Sequence, residues 1–492
     1  MRKAFLLGLI STAALAAGTS AQQNALQTAA STLGATTVSA LQFTGSGRNF
    51  SVGQNYSPSE PWPAVIVKSY TAQANFTQGS MRIDMTREQT NREMPRGGGA
   101  PIFGEQRQTA LVSGNYAWNV PAPAPNAPAG MAQANPGAQP ERMLALWSLP
   151  QGFIKAALAN SATMKPVKTG TEVAFTVGGK YKMVGTINGM GQVEKVLTWI
   201  DHPIVGDMPI ETTYSDYKDF GGIMFPSHIV QTQDGYPALD LTITAVMANP
   251  AFDAPVPDNV PKFQPPPTVV TVDKLADGVW YLTGTSHHSA VIEMKDHFVI
   301  LDVPLGEERA KAVVAKAKEL VPNKPFRYLI TSHHHWDHLG GIRTAMDEGA
   351  TIVTYQGNKS FLERVAKTTH TLVPDAQSRS KKGVKIKTVG DDDKLTDGTR
   401  VIEIHRLMNY THTGDMTVVY LPTEKVLFEP DAFTPPPMAG TALIPPAQAF
   451  AKALYDNIQR LKLDVQTIAP LHGNRKTDVA ELSKASGVTA TN

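Results

Sequence analysis

The sequence predicts an α+β protein made of two unlike halves, an N-terminal antiparallel β-domain and a C-terminal domain in which strands and helices alternate. Three observations lead there. Between Leu41 and about Asn249, apolar side chains recur at every second position, the period of a half-buried strand. Pro255, Pro257, Pro261 and the triplet Pro265-Pro266-Pro267 then interrupt that pattern with stiff polyproline character. Beyond them, short apolar runs alternate with helical spacing and lead into a compact cluster of histidines. At 492 residues the chain also exceeds what one ordinary core can hold. The expected division is 22–254 for the β-domain, 255–267 for the linker, 268–480 for the second domain and 481–492 for a tail.

The chain opens on Met1-Arg2-Lys3, an apolar run from Phe5 to Ala17, and Thr19-Ser20-Ala21. A positive head, a short apolar core and small residues make this a secretory signal peptide, residues 1–21, cut after Ala21. The run is too short to span a bilayer, so no transmembrane anchor is expected after cleavage. The expected location is periplasmic or secreted. With no Cys, the chain offers no site for lipoprotein acylation and relies on no disulfides. Its 45 basic and 43 acidic side chains nearly cancel, and nothing marks a polyanion such as nucleic acid as a partner.

From Gln22 to Ala40, the spacing of Leu26, Ala29, Ala30 and Leu33 predicts a short helix packed on the adjoining β-domain. Met81, Ile83 and Met85, then Val173, Phe175 and Val177, then Leu239, Leu241 and Ile243 predict strands with one buried face. Gly178-Gly179 and Gly189-Met190-Gly191 predict hairpin turns. Arg96 to Pro101 and Pro121 to Pro140 lack the apolar content for a core and are expected to be loops. The run through Asp201-His202-Pro203, Tyr214-Ser215-Asp216-Tyr217 and Phe225-Pro226 resembles the curved half-barrels of periplasmic lipoprotein carriers, an alternative that would make this half a lipophile-binding module. The competing reading is a structural β-domain that shields or orients its neighbour.

In the second half, Val279-Trp280-Tyr281-Leu282 and Phe298-Val299-Ile300-Leu301 predict buried strands, the latter ending in Asp302. A helix is expected from Glu307 to Val321 and a strand from Tyr328 to Thr331. Strands at 352–355, 401–404, 417–420, 425–428 and 465–468 and a helix at 447–461 complete this half.

Directly after the strand ending in Ile330 comes Thr331-Ser332-His333-His334-His335-Trp336-Asp337-His338-Leu339-Gly340-Gly341. His333, His335, Asp337 and His338 form H-x-H-x-D-H, four potential ligands in six residues. Imidazoles and a carboxylate suit Zn²⁺, and Fe or Mn accept the same donors. His334 faces away from its neighbours if the loop is extended, which makes it a packed or solvated residue. Trp336 is read as core or pocket wall.

This motif resembles the signature of the metallo-β-lactamase superfamily, over about residues 268–480. The resemblance implies an αβ/βα sandwich with metals on its rim and extends the ligand set to His412 in Tyr410-Thr411-His412-Thr413-Gly414-Asp415, Asp431 after Val426-Leu427-Phe428, and His472 in Ala469-Pro470-Leu471-His472-Gly473. It assigns His333, His335 and His412 to one divalent metal and Asp337, His338 and His472 to a second, with Asp431 bridging. It further implies a metal-bridging hydroxide as nucleophile, with Asp337 orienting it and passing a proton to the leaving group.

The absence of Cys excludes the β-lactamases that use it as a ligand, and Asp431 makes the set more similar to glyoxalase II and the lactonases. His335 stands where diiron flavoproteins of the superfamily carry Glu. The expected activity is hydrolysis of a small, partly apolar ester, lactone, thioester or amide, a β-lactam included. The alternative is a mononuclear iron oxygenase similar to the persulfide dioxygenases. Asp302 either accepts an N–H from a ligand imidazole or starts a turn before Pro304. His287 and His288 border the site in the family, yet loop histidines are more often solvated. The segment Phe433 to Gly440 is expected on the pocket rim.

Overall fold

A computed structural model describes residues 25–88, 96–98, 104–122, 130–438, 441, 443 and 445–488. The signal-like stretch at 1–21 and parts of both expected loops therefore lie outside the described residues. No described helix is long and apolar enough to cross a membrane.

The N-terminal domain is a single 13-stranded antiparallel sheet. The first strand, Ala40–Phe50, lies mid-sheet, hydrogen-bonded to Ala64–Asn75 on one side and to Tyr236–Ala248 on the other. The chain thus builds one wing, crosses over, and builds the other wing back to its start. The alternating residues do bury one face: Met81, Val173, Phe175, Leu241 and Ile243 join one core. Gly178 and Gly179, at φ +58° and +65°, lie with Lys180 in the three-residue turn between strands Gly170–Val177 and Tyr181–Ile187, where side chains at the two glycines would be strained. The helix expected near the N-terminus occupies 25–32 and buries Leu26, Ala29 and Ala30.

The sequence reading missed two helices, Gln139–Ser148 and Pro150–Ala159, which form the crossover. The first begins inside the expected Pro121–Pro140 loop. Each carries a proline in its first turn, where the missing N–H costs nothing, and this was the available signal. Leu144, Leu146, Phe153 and Ile154 fill the sheet's inner side, together with the 25–32 helix. Residues 255–267 carry no helix or strand, and Val260 packs against Leu111 and Trp118.

The C-terminal domain is an αβ/βα sandwich. A seven-stranded sheet begins antiparallel at Thr271–Ala276 and turns parallel from Phe298–Leu301 through Phe326–Ile330 and Thr351–Tyr355 to Lys385–Val389. A five-stranded sheet runs from Asp392–Thr396 to Thr467–Pro470. Val299, Leu301 and Ile330 meet Ile404, Val419 and Phe428 between the sheets. Helices Glu307–Leu320, Ile342–Glu348 and Lys359–Val365 cover the outside of the larger sheet, and Pro445–Leu461 covers the smaller. The expected tail is folded through its first turns: helix Val479–Ala485 packs on Pro445–Leu461 with Leu482 buried.

The two domains share packing. Ile204, Val205 and Met208 enter the helical layer of the sandwich. Asp207 accepts hydrogen bonds from the backbone of Thr371 and Leu372, each at 2.9 Å.

Candidate metal centre

The ligand loop leaves strand Phe326–Ile330 and is held from both sheets: Thr331 N donates to Val353 O at 3.0 Å, and Thr417 N donates to Ser332 O at 2.8 Å. His335 is extended and precedes the short helix Trp336–Leu339. The closing glycines are required by close approach, since a Cβ on Gly340 would lie 2.3 Å from the Leu305 backbone and one on Gly341 2.2 Å from Ala310. Asp302 ends its strand in a left-handed turn at φ +48° and accepts from Ser332 N, Ser332 Oγ and His338 Nδ1 at 2.8, 2.6 and 2.9 Å. Of its two sequence readings, the imidazole partner is the one the geometry presents.

Asp431 lies where the remaining candidates converge. Its carboxylate is 2.8 Å from His472 Nδ1, 3.2 Å from His338 Nε2, 3.2 Å from His412 Nε2 and 3.3 Å from His333 Nε2. Two groups of donors result, His333, His335, His412 and Asp431 on one side and His287, Asp337, His338 and His472 on the other, each within 4.8 Å of one another. All seven sequence-derived ligands thus fall in one place. Glu429, buried and accepting from Ala432 N and Phe433 N, shapes the turn that presents Asp431, and burial pushes its carboxyl up to about 8. The sequence reading did not single it out.

His287, named in the sequence but favoured there as solvated, belongs to the second donor group. Only 6% exposed, it approaches Asp337 Oδ2 at 3.2 Å and stacks on His472 with ring centroids 3.9 Å apart. His288 is also buried and faces Gly473 O at 2.7 Å. The solvated reading of both was wrong because a β-bridge between His287 and His472 draws this segment under the site. His334 stays outside the donor groups, bridging Asp415 Oδ1 at 2.8 Å and Asn55 Oδ1 at 3.1 Å. Trp336 packs at the domain interface, edge-on to Trp62 and 4.2 Å from the His202 ring.

The donor set fits divalent cations. His335 donates through Nε2 to Asn55 O at 2.8 Å, and His412 donates through Nδ1 to Gly98 O. In those neutral tautomers the lone pairs on His335 Nδ1 and His412 Nε2 face each other across 3.1 Å, an arrangement that a cation between them relieves. His333 Nε2 is buried without a hydrogen-bond partner. Burial, reinforced by the surrounding imidazoles, holds His333 and His335 well below the ordinary imidazole range, in the neutral form that ligates metal. Burial opposes charge on Asp337 and Asp431, yet His287 and His338 for the first and chiefly His338 for the second hold both carboxyls well below their usual range. Asp337 and Asp431 thus place acidic charge in one site, and divalent ions would balance it.

Residues 282–472 match the family model described as the metallo-beta-lactamase superfamily. The C-terminal domain belongs to that superfamily. A curated relative, a linear primary-alkylsulfatase from Pseudomonas sp, is 32% identical over 76 residues, 15% of this chain and 11% of that protein, so the match spans a small part of the relative. Among solved structures, a metallo-beta-lactamase from Pontibacter korlensis is 21% identical with a TM-score of 0.34, covering 46% of this chain and 100% of that one. One from Hirschia baltica is 21% identical with a TM-score of 0.34, over 44% and 96%. Enzymes of the metallo-β-lactamase fold bind divalent metals, and here a cavity of about 210 Å³ opens on the two donor groups. Gln54, Asp337, His412, Asp431 and His472 form its polar side, and Ala432, Leu443, Ala447 and Phe450 its apolar side. From the expected rim segment Thr434 lines the cavity, Met438 is exposed, and 439–440 lie outside the described residues.

Proposed function

We propose that this chain is an exported binuclear metallohydrolase, with zinc in both sites, that cleaves a small, neutral, partly apolar ester, lactone, thioester or amide. The observation that carries the reading is the convergence of two donor groups on one carboxylate, Asp431, at the floor of an open cavity. His333, His335 and His412 would hold one ion, and Asp337, His338 and His472 the other. Bound there, two divalent ions would polarise the scissile carbonyl and make a water acidic enough to attack it near neutral pH.

The chain's own residues supply the rest. Asp337 lines the cavity as an ionised carboxylate, able to orient a water and carry its proton to the departing group. His287 sits behind it, its Nε2 3.2 Å from Oδ2, as a donor that keeps the carboxylate ionised and oriented. Leu443, Ala447 and Phe450 give an acyl chain an apolar wall. Among the described residues no Lys or Arg lines the cavity, which favours a neutral substrate over an anionic one. Export rests on the sequence of residues 1–21.

The test joins metal analysis of the mature protein to a hydrolysis panel of lactones, thioesters, carboxylic esters, β-lactams, phosphodiesters and alkyl sulfates. Two zinc ions per chain, loss of turnover on chelation and its return with Zn²⁺ are expected. One iron per chain with dioxygen uptake would replace the hydrolase with an iron oxygenase.

A further inference from the structure

The N-terminal domain reaches the metal centre through one loop and one turn. At the loop's start Gly53, φ +74°, lies so close to Trp336 that a Cβ would come within 2.5 Å of the indole. Gln54 lines the cavity, and its Nε2 donates to Asp337 Oδ1 at 3.1 Å. The Asn55 carbonyl accepts from His335 Nε2 at 2.8 Å. The Asn55 side chain fixes that carbonyl in place: Nδ2 donates to Ser57 O and Glu60 O at 2.7 and 3.1 Å, and Oδ1 faces His334. Tyr56 O then accepts from Gly414 N at 2.8 Å, beside His412. The turn at Gly97-Gly98 locks onto both partners, with Gly98 N donating to Gln54 O at 2.7 Å and Gly97 N to Thr411 O at 2.9 Å. Gly98 O accepts from His412 Nδ1.

We propose that the N-terminal domain completes the metal centre, the carbonyls of Asn55 and Gly98 fixing which ring nitrogen His335 and His412 present and the Gln54 amide holding Asp337 in place. The proposal deepens the binuclear reading and rests on it. A neutral imidazole carries one N–H, and its hydrogen-bond acceptor decides which nitrogen is left to bind metal. Here the two histidines need opposite outcomes: Nδ1 must face the site in His335 and Nε2 in His412. Both are set by backbone oxygens of the other domain, so side-chain identity at 55 and 98 does not reveal them. On the second group, the Gln54 amide occupies one oxygen of Asp337 and fixes the orientation of the carboxylate. These are positioning roles, since each acts through a ligand.

The experiment uses the full chain, stripped of metal and titrated stepwise with Co²⁺ and Zn²⁺ against a chromophoric chelator. Gln54→Met keeps side-chain length without the donor, and Asn55→Ala frees the loop that carries the His335 acceptor. Loss of such outer partners typically weakens metal binding about 10–100-fold. The expected result is weakening of that order for one ion in each variant, with a changed Co²⁺ absorption spectrum, and an unchanged unfolding midpoint of the metal-free Gln54→Met protein. Phe153→Ala, in the N-terminal core and out of contact with the loop, should bind both ions as the wild type does. Wild-type affinities in Gln54→Met and Asn55→Ala overturn the proposal, as does equal weakening by Phe153→Ala, which would make the effect one of domain stability. A wild-type protein that takes up fewer than two ions defeats the binuclear reading instead, and weakening of a single ion by Asn55→Ala would still support the loop's role.

Discussion

Among the described residues, the polar side chains buried in the N-terminal domain are all neutral, such as Ser80, Gln151 and Thr212, whereas the C-terminal domain buries Asp302, Arg309, Arg343, Asp375, Asp415, Glu429 and every buried histidine. A neutral group needs one or two hydrogen bonds to be accommodated, but an ionisable one needs a counter-charge as well. Away from the cavity the C-terminal domain supplies such partners, as in Arg343 with Asp375 and Asp415 with His334. At the donor groups His338 is the charge partner of both Asp337 and Asp431, and His333 Nε2 is left buried without a hydrogen-bond partner. The N-terminal domain adds only an amide and backbone carbonyls there, groups that orient ligands without adding charge.

The comparison is broken most directly at Asp431. Asp431→Ala removes the carboxylate between the two donor groups, so uptake of the second ion should weaken most and kcat should fall more than substrate affinity. Two unit charges 4 Å apart interact by about 4 kcal/mol at an effective dielectric near 20, equivalent to a loss of roughly 10³-fold. Two ions and near-normal turnover in this variant would show that charge compensation at Asp431 does not define the site.

In the N-terminal domain the corresponding change should cost stability and leave chemistry alone. Phe153 is fully buried, 5.1 Å from the Phe175 ring, and stacks over Gly185, where a Cβ would lie 2.4 Å from the ring. Phe153→Ala should destabilise that core by about 3–5 kcal/mol, read as a lower urea midpoint by circular dichroism. The folded fraction should keep its metal content and kcat. A parallel loss of turnover would mean that the two domains are less separable than their cores suggest.

A smaller effect should appear with pH. The Asp375 carboxyl is buried and held down to about 2, against the cost of burial, by Arg343 and the Ser378 N–H. Because its folded value lies below the unfolded one near 3.9, its contribution is complete above about pH 5 and lost as pH falls toward 2. Allowing for solvent screening, about 1–2 kcal/mol is at stake. The stability gap between wild type and Asp375→Asn should therefore narrow between pH 5 and pH 2. A gap that is constant over this range would mean that the Arg343–Asp375 pair does not stabilise through charge.

The first four donors were legible because their signal is local, whereas His412, Asp431 and His472 were reached through the family resemblance. H-x-H-x-D-H occupies one loop, and Asp431 and His472 each come after a strand whose apolar run is plain in the sequence. Asp302 could be placed as the last residue of such a run, with its role left open between an imidazole acceptor and a turn. What escaped depended on distant partners. His287 is drawn inward by a bridge to His472, far along the chain. Gln54 and Asn55 acquire their roles only when the N-terminal domain docks through Trp336, Asp207 and the segment carrying Ile204, Val205 and Met208. The crossover helices at 139–159 were hidden by the proline-rich run just before them, which weakened the helical spacing where it began.

The smallest effect expected is at the domain boundary itself. Arg364, on helix Lys359–Val365, reaches Asp234 on an N-terminal hairpin at 2.8 Å, with its side chain 44% exposed. An ion pair so open to water gains little, because solvent screens the attraction and ordering a long side chain costs entropy; the usual contribution is about 0–1 kcal/mol. Arg364→Met removes the charge together with the guanidinium that sits over the Phe361 ring at 5.4 Å. It should lower stability by less than about 1 kcal/mol, and the difference should vanish in 1 M salt, where the screening length falls to about 3 Å. Metal affinity should not change, because docking near the site relies on the packing of Trp336 and the hydrogen bonds to Asp207. If Arg364→Met instead loosens metal binding, the exposed pair sets the approach of the Gln54–Asn55 loop, and the interface is governed by charge rather than by packing.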